Sequence, residues 1–142
     1  MKKILFLLVL CFIPNLLFGA ESVNLATMFQ DKKDNEYAFS KKYENKELEF
    51  NAIVDSIDPK CYTKFLNWDG DTEYIPCAKL ESPDTKIEFL GFEVPIASAL
   101  MKDSDDLLNL KKGQKIKLVC TLNSEILWDM SSLTFDKCSI IK

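Results

Sequence analysis

Apolar and polar positions alternate through Lys46–Ile57, KELEFNAIVDSI: Leu48, Phe50, Ala52 and Val54 share one face, and Glu47, Glu49, Asn51 and Asp55 fall on the other. A period of two sets successive side chains on opposite sides of a strand, so this segment is predicted as a strand with one buried face. Before it, Leu25, Met28, Phe29, Phe39 and Tyr43 recur at helical spacings around the charged stretch Asp31-Lys32-Lys33-Asp34. That spacing predicts a helix, broken at the charges and ended by the turn Glu44-Asn45-Lys46. Farther on, EYIPCAKLESPDTKIEFLGFEV predicts two strands around Ser82-Pro83-Asp84-Thr85, where proline presets the φ that a turn requires. IASALMKDSDDLLNL predicts a helix with Ile96, Leu100, Leu107, Leu108 and Leu110 inward, stopped by Lys111-Lys112-Gly113-Gln114. KIKLVCTL and SSLTFDKCSII predict two final alternating strands, joined by the loop from Asn123 to Met130.

The predicted order is helix, three strands, helix, two strands. Five strands with a helix between the third and fourth is the order of an OB-fold barrel, a mainly β member of the α+β class. On this reading residues 21–45 are an N-terminal helical segment and 46–142 the OB-fold-like barrel domain. The stretches LATMFQDKKDNEYAFSKKYENKELEFNAIVDSI, LKKGQKIKLVCTL and LTFDKCSII resemble the exported bacterial OB-fold family named tRNA-anticodon-binding-like, across nearly all of the chain after the leader. The resemblance rests on Tyr43 to Lys46, on Leu110 to Gly113 and on the placing of Cys120 and Cys138. Ala52, where the family tends to have glycine, and an enlarged first loop at Cys61 to Asp71 depart from it. The bacterial stress-associated OB-fold proteins are the nearest rival. The resemblance implies a small β-barrel and, since a fold carries many functions, no particular ligand.

The first twenty residues, MKKILFLLVLCFIPNLLFGA, combine two lysines, an apolar run and a small-residue end, the layout of a secretory signal peptide. The apolar run is short for a membrane-spanning helix, and no stable membrane anchor is expected once it is removed. Cleavage after Ala20 leaves 122 residues, enough for one domain, in which 16 lysines face 22 acids for a net charge of −6. The chain has no arginine and no histidine. Arginine is the planar donor that grips phosphates, and an acidic field repels nucleic acid, so nucleic acid is excluded as a partner on this reading. Histidine is the usual general base and the commonest metal ligand, so an enzyme is not expected, and neither metal nor cofactor is assigned. Four cysteines remain after the leader, an even number that in an exported chain reads as two disulfides, with zinc the competing reading.

The stretch CYTKFLNWDGDTEYIPC contains Asn67-Trp68-Asp69-Gly70, the form of a tight hairpin turn. Counting outward from the turn sets Cys61 opposite Cys77, within disulfide reach. Cys120 and Cys138 fall on the last two strands and form the second pair, with the crossed pairings open. Asp69, Asp71 and Glu73 imitate part of a calcium loop but lack its full order, and a solvated turn accounts for them. In the OB order Trp68 and Trp128 lie in the two loops flanking the usual ligand face, accompanied by Tyr62, Phe65 and Tyr74 on one side and Met130 on the other. Such residues offer apolar area with polar tips, suited to recognition, although both indoles could instead cap the barrel ends as minor core. The function expected from these features is a non-catalytic binding or assembly module, periplasmic or secreted. It would recognise an envelope protein, a peptide or a glycan through these six residues. The alternatives are a secreted inhibitor or immunity-type protein and a calcium-dependent or hydrolytic one.

Overall fold

A computed structural model describes residues 19–65, 70, 72–122 and 132–141, with the backbone alone at 63–65, 72 and 89. Trp68, Trp128, Met130 and the first eighteen residues lie outside the described part. The chain enters through a two-residue strand, β1 (Glu21–Ser22), parallel to Leu48 and Glu49. Two helices follow, α1 (Leu25–Asp34) and α2 (Glu36–Tyr43). The break falls at Asn35, one residue past the charged stretch. Its extended backbone (φ −160°) ends α1, and its side-chain oxygen accepts the Ala38 N–H at 3.0 Å to open α2. Asn24 caps α1 in the same way through Thr27. A side-chain oxygen at this position satisfies a helical N–H that has no partner within the helix. Leu25, Met28, Phe39 and Tyr43 are buried and join the core.

Eight strands are present among the described residues. β2 (Glu47–Phe65), β3 (Thr72–Glu81), β6 (Ala97–Met101), β7 (Lys115–Leu122) and β8 (Leu133–Ile141) close into a ring in the order β2-β3-β6-β8-β7 and back to β2. The sheet is mixed, with β6 and β8 parallel and the other ring neighbours antiparallel. β2 closes the ring because it serves two partners: Glu47 to Ile53 pair with β7, and Ile53 to Phe65 pair with β3. Its alternation holds, with Leu48, Phe50, Ala52 and Val54 all buried. At the centre the rings of Phe50 and Phe135 stand 4.5 Å apart.

Two elements differ from the sequence expectation. The run KIEFLGFEV does not supply the third strand of the ring; it folds on itself as a separate hairpin, β4 (Ile87–Phe89) and β5 (Phe92–Val94). The third ring strand is β6, inside the segment read as a helix, and all that remains of that helix is a 3-10 turn over Ser104–Asn109. The physical reason is burial on both faces. Ala97, Ser98, Ala99 and Leu100 are all buried, so no polar alternation marks the strand, and small residues at these positions read equally well as helix.

Candidate functional site

The outer surface of the ring carries a polar row in register: Ser56 opposite Lys79, Lys79 opposite Ser98, Ser98 opposite Thr134. Ala78, Ala99 and Phe135, one position along, belong to the core, so alternation turns this row outward. Lys79 Nζ donates to Ser98 Oγ at 3.0 Å. Ser98 and Thr134 are nonetheless only 1% and 4% exposed.

The β2–β3 arm extends past the ring to reach this surface. Between the pairs Asp58↔Cys77 and Tyr62↔Ile75, β2 sets three residues, Pro59, Lys60 and Cys61, against the single Pro76 of β3. Neither proline has an N–H to give to a ladder, and a bulge bends the strand that carries it. The arm therefore leans over the ring, and the hydroxyls of Tyr62 and Thr134 share a hydrogen bond at 3.0 Å. Cys61 and Cys77 are bonded, with Cα atoms 5.6 Å apart, and tie the bulge to the buried end of β3. Simple counting from the turn set Cys61 directly opposite Cys77; the bulge shifts the register, and Cys61 reaches its partner from within it. Cys120 and Cys138 are likewise bonded, on β7 and β8.

Register also separates the two tyrosines. Tyr62 pairs with Ile75 and Tyr74 with Thr63, so Tyr62 and Tyr74 occupy opposite faces of the arm. Tyr62 is turned to the ring, while Tyr74 is 52% exposed. The ammonium of Lys60 stands 4.9 Å from the Tyr74 ring centroid, within reach of a cation–π contact. The arm thus meets the end of the polar row at Thr134 with one face and presents an aromatic ring and a lysine on the other. The structure brings together Tyr62, Tyr74 and the Cys61–Cys77 bond; Trp68, Trp128, Met130 and the Phe65 side chain lie outside the described residues.

No family model matches the chain, and no curated protein matches it. A solved structure does share the fold. It is that of a "putative nucleic acid-binding lipoprotein" from Klebsiella pneumoniae subsp. pneumoniae, similar at a TM-score of 0.59 with 14% identity over 87% of this chain and 92% of that one. The exclusion of nucleic acid, drawn from net charge, is corrected by this likeness: a chain of the same fold is named for binding nucleic acid. Net charge describes the whole molecule, whereas binding is decided by local charge, and among the described residues Lys60 stands beside Tyr74.

Sequence reasoning missed Lys60, Lys79, Ser98 and Thr134. The one available signal was the small-residue run Ala97-Ser98-Ala99, which marks a strand covered on both sides. Among the described residues no three His, Cys, Asp or Glu side chains are grouped to hold a metal ion, and no helix is long and apolar enough to cross a membrane. The acids Asp69 and Asp71 of the calcium reading lie outside the described residues. Two disulfides and the likeness to a lipoprotein are consistent with an exported protein.

Proposed function

We propose that this is an exported, non-catalytic binding module of the periplasm, built as an OB-fold barrel of the tRNA-anticodon-binding-like kind and released from its leader as a signal peptide. The observation that carries the reading is the arm. Its inner face meets β8 through the Tyr62–Thr134 hydrogen bond, and its outer face offers Tyr74 under Lys60. A rigid aromatic with a polar tip gives large contact area at low entropic cost, the usual anchor of a recognition surface. The ligand on this reading is an extended chain, a peptide or a glycan, lying across the arm.

Lys60 favours a second reading, single-stranded nucleic acid, in which a base stacks on Tyr74 and the lysine meets a phosphate. Fluorescence anisotropy of the processed chain with three labelled probes separates the two: an oligothymidine of fifteen nucleotides, a lysine-rich peptide and a peptidoglycan fragment. The expected result is saturable binding of the peptide or the glycan, weakened about tenfold or more by Tyr74→Ala. Binding of the oligothymidine alone, weakened by Tyr74→Ala and by salt, would replace the first reading with the second. Binding indifferent to Tyr74→Ala would remove the arm as the site.

A further inference from the structure

The hairpin of β4 and β5 ends in an apolar tip. Leu90 is 82% exposed and Phe92 74%, the first and fourth most exposed of the large hydrophobic residues described. Leu90 and Gly91 both have positive φ, 52° and 82°, the two-residue turn that normally takes Asn-Gly. A leucine in the left-handed region is strained, and here the strained residue is also the one held out to water. Behind the tip Glu88 and Glu93 stand directly opposite each other. Like charges in that arrangement repel, and Lys86, bonded to Glu93, compensates one of them while Glu81 adds a third acid to its surroundings.

A groove of about 650 Å³ with the complementary character lies on the outer surface of β2 and β7. Val23, Ile140 and Ile141 give it apolar walls, and Lys115 and Lys117 give it cations. Lys117 is paired with Glu49, and Lys115 has no ion-pair partner among the described residues. Asp84 also lines the groove and accepts a hydrogen bond from Asn24 at 2.7 Å. Pro83 and Asp84 belong to the groove, and the hairpin begins three residues later at Ile87, which packs against the core. The base of the hairpin therefore lies beside the groove.

From this we infer that two copies of the chain associate, each laying its Leu90–Phe92 tip in the other's groove and setting Glu88 against the partner's lysine. Two complementary surfaces on one chain can meet about a two-fold axis, since each copy then gives and receives the same contact and the assembly closes as a dimer. The surface is separate from the Tyr74 face and stands whether or not that face binds a ligand. With only two large apolar side chains inserted per copy, the contact belongs to the small, transient class of interfaces, with a Kd on the order of 10–100 μM.

Sedimentation equilibrium of the processed chain tests this. Dimer is expected to appear across that range, and Leu90→Asn to raise the Kd at least about tenfold. Asparagine suits the left-handed turn, so this variant keeps or improves the fold while removing the apolar tip. Lys115→Glu alone should weaken the dimer similarly, and combining it with Glu88→Lys should restore it. A wild-type chain that stays monomeric to about 1 mM, ten times the weaker end of the expected range, overturns the inference. So does a dimer that Leu90→Asn leaves unchanged, or a monomer whose tip instead binds vesicles of zwitterionic lipid.

Discussion

At the scale of single residues, Asp31 shows how a surface charge becomes structural. Its carboxylate accepts from Lys42 Nζ at 2.8 Å and from the Tyr43 hydroxyl at 2.7 Å, joining α1 to α2. The Lys42 hydrogen bond first, then that of Tyr43, holds the Asp31 pKa below its ordinary value. The pKa of Tyr43 is raised, chiefly by burial. The signs fix the pH window. A depressed carboxylate contributes stability present above its unfolded value, about 4, and lost as pH falls through the lower folded one. A raised phenol contributes stability present below about pH 10 and lost as pH rises through its folded value. Tyr43→Phe removes the hydroxyl and keeps the ring that packs 5.0 Å from Phe39. Urea unfolding should show a loss of about 1 kcal/mol at neutral pH. The loss should shrink once Asp31 is protonated, and the alkaline part of the stability profile should flatten.

At the scale of elements, β6 is the most informative. It is buried on both faces, which leaves room only for small side chains at Ala97, Ser98 and Ala99. Ala99→Leu should overpack the strand and destabilise the protein by about 1–3 kcal/mol in denaturant unfolding. A loss near zero would mean that the ring yields there. The same residues explain what was legible. β7 and the first half of β2 bury one face, so their alternation declared them, and the helical spacing of Leu25, Met28, Phe39 and Tyr43 gave α1 and α2 with their core residues. A strand buried on both faces has no alternation to read, and IASALM followed by an acidic stretch reads as an amphipathic helix. KIEFLGFEV alternates as a strand should, but sequence cannot say that Leu90 takes a positive φ and folds the run back on itself. Tyr62 and Tyr74 stood out by residue type; their opposite faces depend on a bulge that no local pattern announced.

At the scale of the molecule, the two disulfides divide the work. Cys120–Cys138 joins two strands of the ring itself, whereas Cys61–Cys77 holds the arm, an element whose hold on the ring among described side chains is the Tyr62–Thr134 hydrogen bond. Each spans 16 to 18 residues and in the chain-entropy account contributes about 3 kcal/mol. Their local consequences should differ. Replacing Cys61 and Cys77 by alanine frees a bulged segment whose prolines already interrupt the ladder, so amide exchange should accelerate over 58–65 and 72–77 while β7 and β8 keep their protection. Replacing Cys120 and Cys138 removes buried sulfurs from the core and should lower protection throughout the ring. If the first replacement also released protection of β6 and β8, the arm would be part of the cooperative unit. A ligand bound on Tyr74 would then be coupled to the stability of the whole chain, because only a face that unfolds with the ring can transmit binding to it.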